Sequence, residues 1–142
     1  MAIAALDPGR RRIGIAVTDD TESRVFPLGA IERKGNRLDF AAIARRLHDY
    51  SVSRFVVGLP INMDGSEGPA ARSARSFGAL LHKAMNVPVD FYDERLTSFE
   101  AEDRLKRAVT SRASHKSAID AVAAAVILEG WLDMRTKSGE GR

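Results

Sequence analysis

The 142-residue chain contains no cysteine. Disulfides and thiolate zinc sites are thereby excluded, and the composition fits a reducing cytoplasm. Histidine is scarce as well. His48, His82 and His115 are far apart, none stands at metal-ligand spacing from another, and all three read as ordinary surface or half-buried residues. No stretch approaches ~20 consecutive apolar residues, so no membrane span is expected. The N-terminus carries no basic leader before an apolar core and already reads as a strand, so no signal peptide is expected. There is no internal repeat and no linker. Length and a 44% hydrophobic composition fit one domain over residues 1–134. The remainder, 135–142, is Gly, Ser and charge, and reads as a disordered tail.

Charge is mildly one-sided, with a formal net charge of +3 and a sequence pI of about 9.6. The placement of the cations says more than their sum. Arg10, Arg11 and Arg12 follow the first apolar run, and Arg33, Lys34 and Arg37 flank a later turn. Arg104, Lys106, Arg107, Arg112 and Lys116 lie between the last two helical stretches. Clusters of this kind supply sequence-independent affinity for phosphate, or else form a solvated surface.

Residues 2–7 and 13–19 read as two strands of a hairpin. Asp7-Pro8-Gly9 between them suits a type II turn, with Asp7 closing the first strand. Residues 24–32 read as a third strand in which Pro27 implies an edge position or a bulge. A helix is predicted over 37–50, with Phe40, Ile43, Leu47 and Tyr50 on one face. A buried strand, 54–58, leads into a long loop from Leu59 to Pro69 with two glycines and two prolines. Loops of that length are often functional. Helices over 70–85, 98–109 and from about 117 to Met134 follow, with a fifth strand over 88–92. Thr97 or Ser98 reads as the N-cap of the third helix. The order β-β-β-α-β-α-β-α-α implies an α/β fold. Its mixed five-stranded sheet has an antiparallel first three strands, parallel later strands and flanking helices. Ligands of such sheets gather at the carboxyl ends of the strands.

Carboxylates stand at those ends. Asp7 ends the first strand, Asp93 and Glu94 end the fifth, and Asp120 stands in the first turn of the last helix. Each has a structural alternative. Asp7 could serve only the turn, Glu94 could pair with Arg95 or a lysine, and Asp120 fits the capping box Ser117-Ala118-Ile119-Asp120. Alternation along a strand lets only one of Asp93 and Glu94 face a site, and the residues alone leave that choice open. Three carboxylates without cysteine or paired histidine favour a hard divalent cation, Mg²⁺ or Mn²⁺. Two such ions ~4 Å apart can clamp an in-line phosphoryl displacement.

The sequence resembles the YqgF/RuvX family, described both as pre-16S rRNA nucleases and as Holliday-junction resolvases. The resemblance lies in Leu6-Asp7-Pro8-Gly9 with Arg12-Ile13-Gly14-Ile15-Ala16, and in Val56-Val57-Gly58-Leu59-Pro60 with Met63-Asp64-Gly65 and Gly68. It continues in Asp93-Glu94-Arg95-Leu96-Thr97, and in Lys116 with Ile119-Asp120 and Ala123-Ala124. It implies an RNase H-like fold with Asp7, Glu94 and Asp120 as catalytic metal ligands. Asp7 is expected to bridge two ions, and hydrolysis to leave a 5′-phosphate and a 3′-hydroxyl. Arg10, Arg12 and Arg95 are candidate phosphate contacts, with Lys116 beside the scissile phosphate. The glycine-rich segment, with Gly58, Asn62, Gly65 and Gly68, reads as a flexible loop that closes over the substrate. The expected function is metal-dependent processing of the 5′ end of pre-16S rRNA in the cytoplasm. Resolution of branched DNA is the alternative, and cutting two strands symmetrically calls for a homodimer. A non-catalytic RNA-binding role in ribosome or transcription complexes is a further alternative. An actin-like ATPase shares the Asp-x-Gly opening, but the chain is too short for the second domain that would close over ATP.

Overall fold

A computed structural model describes residues 1–97, 99–113 and 121–137. The strands are β1 (Ala2–Pro8), β2 (Arg12–Thr18), β3 (Val25–Glu32), β4 (Val52–Leu59) and β5 (Val89–Asp93). The helices are α1 (Asn36–Arg46), α2 (Pro69–Met85), α3 (Phe99–Ala113) and α4 (Val122–Lys137), with a 3₁₀ turn at Glu94–Leu96. The sheet order is β3-β2-β1-β4-β5, with β1 in the centre. β1 pairs antiparallel with β2 and parallel with β4, β2 pairs antiparallel with β3, and β4 pairs parallel with β5. This is the mixed sheet expected from the element order. The three parallel strands bring their carboxyl ends to one edge.

The faces follow from strict alternation. Ala2, Ala4 and Leu6 of β1 join Ile13, Ile15 and Val17 of β2 and Phe55 and Val57 of β4 under α1 and α2. Phe40 of α1 and Phe77 of α2 meet there edge to face, 5.4 Å between centroids. Ile3 and Ala5, with Ala16 and Val56, turn the other way and pack under α4. That face is built from small residues. Ala5 and Ala16 meet Ala124 and Ala125, which lets the helix lie close on the sheet. Asp7 continues the series Ile3, Ala5, so its side chain belongs to the α4 face.

Several sequence expectations shift. The type II turn at Asp7-Pro8-Gly9 is not formed. Pro8 still belongs to β1, opposite Ile13, and the turn lies over Gly9–Arg12, closed by Gly9 N–H donating to Arg12 O at 2.8 Å. Gly9 is not among the positive-φ glycines that a type II turn requires at its third position. The β1–β2 ladder therefore runs one residue further than the dipeptide signal suggested. β3 is an edge strand and also bulged, as Pro27 implied. Gly14 pairs with Ala30 but Ala16 with Pro27, so two residues oppose Ile15, and Gly29 sits there at φ 87°. α1 ends at Arg46, earlier than expected, with Leu47 to Tyr50 in a tight turn. α4 runs on to Lys137, past the boundary set at Met134. Arg135 lies over Trp131 and pairs with Glu22, so Arg135–Lys137 are helix rather than tail. Among the described residues, no helix is long and apolar enough to cross a membrane.

Candidate active site

Asp7 sits at the carboxyl end of the central strand, between Gly14 of β2 and the end of β4. It is half-buried, and burial raises the pKa of its carboxyl above the ordinary aspartate value. Glu94 is the first residue past β5 and opens the 3₁₀ turn. Its carboxylate lies over Gly58 of β4. A Cβ built on Gly58 would stand 2.6 Å from Glu94 Oε2 and 2.6 Å from Ile127 Cδ1 of α4. A side chain at Gly58 would have to push aside the Glu94 carboxylate, which fills the space between the sheet and α4. That seat is on the α4 face, the same face as Asp7. Burial first, then the charge of Asp7 and then that of Asp93, push Glu94 up to about 7.

The choice between Asp93 and Glu94 follows from hydrogen bonding. Asp93 Oδ1 accepts the Arg95 backbone N–H at 2.9 Å and so caps the 3₁₀ turn, while its carboxylate takes the Arg95 guanidinium at 2.8 Å. These bonds lower its pKa. Glu94 is left facing Asp7, and the expected alternative, a Glu94–Arg95 pair, is replaced by Asp93–Arg95. Thr97 holds the turn from its other end, donating from N and Oγ1 to Glu94 O at 3.2 and 2.9 Å. It caps this turn. Ser98, the other candidate cap, lies outside the described residues, as do Lys116, Asp120 and His115.

Arg95, expected at the phosphate, is exposed and bonded within the protein. Besides Asp93, its Nη1 donates to the carbonyls of Asn62 and Met63 at 3.4 and 3.5 Å. It thus ties the segment carrying Glu94 to the loop after β4. Gly58 is not part of that loop. It lies in β4, opposite Tyr92. Residues 60–68 are cross-braced by hydrogen bonds. Asn62 N–H donates to Ser66 O, Gly65 N–H to Asn62 O and Asn62 Nδ2 to Ser66 Oγ, and Ser66 donates from N and Oγ to Asp64 Oδ1. Gly65 takes φ 91°, and Gly68 passes under Asn62. Glu67 grips Arg75 of α2 through two bonds of 2.6 and 2.7 Å.

On the other side of Asp7, Arg10 and Arg11 are exposed on the turn and Arg12 is half-buried. Arg33 was missed by the sequence reading. Its Nη1 donates to Gly9 O at 3.0 Å, its N–H to Arg11 O, and its guanidinium lies over the Phe77 ring and near the buried Asp39. It fixes the turn that follows Asp7. Only its neighbourhood to Lys34 and Arg37 was visible in the sequence, as a charge cluster. His82 Nδ1 is bonded to Val87 O and His48 is exposed, so neither takes part.

The donor set is suited to a hard cation. Two carboxylates with raised pKa values face one another's charge on one side of the sheet, and oxygen is the donor atom throughout. Among the described residues no group of three His, Cys, Asp or Glu gathers into a metal cluster, so Asp7 and Glu94 form a pair whose third member is sought outside them.

Comparison with solved structures shows the fold. The fold matches Thermus thermophilus RuvC in complex with a Holliday junction substrate, with TM-score 0.59 and 15% identity, over 96% of this chain and 97% of that one. The fowlpox virus Holliday junction resolvase matches with TM-score 0.56 and 12% identity, over 94% and 99%. The architecture is the RNase H-like fold. The family described as "RuvX: Holliday junction resolvase" matches residues 1–134. The chain is 50% identical over 135 residues to the "Putative pre-16S rRNA nuclease" of Anaeromyxobacter dehalogenans (strain 2CP-C), covering 95% of this chain and 98% of the relative. It is 42% identical over 132 residues to the protein of that name from Rhodobacter capsulatus, covering 93% and 83%. The chain belongs to the RuvX (YqgF) family, and it is a nuclease.

Proposed function

We propose that this nuclease is a metal-dependent endonuclease that processes the 5′ end of pre-16S rRNA in the cytoplasm. The name borne by relatives up to 50% identical supports the substrate. The observation that carries the chemistry is the Glu94 carboxylate seated over Gly58 in the field of Asp7. Two like charges held together in a partly buried site favour a bound cation. Asp7 and Glu94, with Asp120 from the sequence as third ligand, would hold Mg²⁺ or Mn²⁺ in a two-ion site. Bound there, the cation supplies an acidic water and charge stabilisation for phosphodiester hydrolysis.

The chain's own groups do the rest. β1 and the Asp93-capped turn hold the two carboxylates on rigid elements, so little reorganisation accompanies binding. Arg10 and Arg12 on the β1–β2 turn contact phosphates on one side, a turn that Arg33 anchors from beneath. Lys116 beside the scissile phosphate rests on the family resemblance alone. Arg95 is assigned to positioning rather than to phosphate.

The test is cleavage of a pre-16S transcript with Mg²⁺ or Mn²⁺. The parent protein is expected to leave a 5′-phosphate, and Asp7→Asn and Glu94→Gln to abolish cutting. Full activity in Asp7→Asn overturns the mechanism. A second reading, resolution of branched DNA, is favoured by the family description. It predicts symmetric cutting of a four-way junction by a homodimer, and a strictly monomeric protein counts against it.

A further inference from the structure

Met63 is 88% exposed, the most exposed of the large apolar side chains among the described residues. An exposed methionine on a loose loop needs no explanation. This one is held in place. Arg95 bonds the carbonyl of Met63 itself and that of Asn62 before it. The Asn62–Ser66 and Asp64–Ser66 bonds close the loop on its other side, and Gly65 turns it back at positive φ. The clamp is the same Arg95 that follows Glu94, so the tip is fixed relative to the carboxylate pair. Along the carboxyl edge of the sheet the order is the arginine turn after β1, Asp7, the Met63 loop after β4, then Glu94. A polyanion lying along that edge meets cations at one end and, between the two carboxylates, an exposed apolar tip.

We infer that Met63 is a nucleobase contact, an apolar wedge against an unpaired or unstacked base flanking the bond to be cut. Apolar side chains, Met among them, part base steps in this way where DNA is kinked. An apolar tip has nothing to offer a phosphate, whereas every base offers a π-face irrespective of sequence. The inference rests on the nuclease reading for its ligand class and adds a selection for distorted over regular duplex.

The test uses three probes, measured by fluorescence anisotropy without divalent metal. They are an RNA hairpin with one bulged 2-aminopurine, its DNA counterpart, and the same RNA hairpin fully paired. Met63→Ala is expected to weaken binding of the bulged hairpin about tenfold and to leave the paired hairpin unchanged. Met63→Phe is expected to restore binding and Met63→Gln to fail. The RNA and DNA arms report which sugar backbone carries the preference. The change in 2-aminopurine emission on binding should vanish with Met63→Ala. Because the side chain is exposed, these variants fold, which melting confirms. Equal affinity of parent and Met63→Ala for both bulged probes, including the case in which neither binds, overturns the inference. Cleavage of the same hairpins with Mg²⁺ is scored separately. A parent that binds through Met63 but never cuts overturns the nuclease reading and leaves the base contact standing.

Discussion

Substituting Glu94 by glutamine should stabilise the metal-free protein by a margin that grows as pH rises from about 4.5 to 7 and holds above it. In the folded chain Glu94 is pushed up to about 7 from an ordinary 4.5, chiefly by burial, with Asp7 and Asp93 adding repulsion. Between those two values the folded state holds more protons than the unfolded one, so stability falls as pH rises and then levels off above the folded value. At about 1.4 kcal/mol per unit the ceiling is roughly 3 kcal/mol. Water reaches this partly buried carboxylate and screens it, leaving about 1–2 kcal/mol. For a domain of this size that is roughly 3–6 °C in Tm. The assay is thermal melting in EDTA at pH 4.5 and pH 8, parent against Glu94→Gln. The two should nearly coincide at pH 4.5, where the parent carboxyl is protonated in the folded state and half protonated in the unfolded one, and the variant should melt higher at pH 8. Mg²⁺ should then raise the parent and not the variant, because the cation replaces the missing counter-charge. A variant that melts at or below the parent at pH 8, or that gains equally at pH 4.5, refutes the burial of Glu94 against Asp7.

Gly58→Ala should keep the fold at a cost of about 1–2 kcal/mol, since the new methyl meets the movable ends of Glu94 and Ile127. It should nonetheless lose most cleavage, which parallel melting and activity assays would separate. Arg95→Ala removes an exposed ion pair and should leave stability nearly unchanged. It should, however, open residues 60–66 to limited proteolysis, and an unchanged digestion pattern would deny Arg95 its clamping role. Asp39→Ala should be the most destabilising of the set, by about 3 kcal/mol in urea unfolding. Asp39 is 1% exposed, accepts the Lys34 N–H at 2.8 Å and faces the Arg33 guanidinium.

The sheet, its order of parallel and antiparallel pairs and the position of Asp7 were legible in the sequence. Alternation and element order are local signals, and β1, β2 and β4 obey them. Pro27 is an example of a single residue read correctly, because a missing N–H has the same consequence wherever it falls. The turn after Asp7 was misplaced because Asp-Pro-Gly carries a strong local preference that the β1–β2 ladder overrides. The Asp93/Glu94 choice was not legible, because it depends on the strand ending at Asp93 and on Arg95 folding back onto it. Gly58 looked like part of a mobile loop. Its purpose depends on a carboxylate arriving from the far side of α2 and β5, and nothing in its own neighbourhood announces that.

The order of the strands in space differs from their order of synthesis. β1 carries Asp7 near the start of the chain, yet its partner carboxylate follows the strand that joins the sheet last, on the outer side of β4. A nascent chain can pair β1 with β2 and β3 early, as a local hairpin and meander, while holding only half of its acid pair. The parallel partners must wait for two helical crossovers, the slower kind of contact to close. The pair of carboxylates over Gly58 therefore assembles only when α2 and β5 have been made, late in the chain, although its first member is the seventh residue.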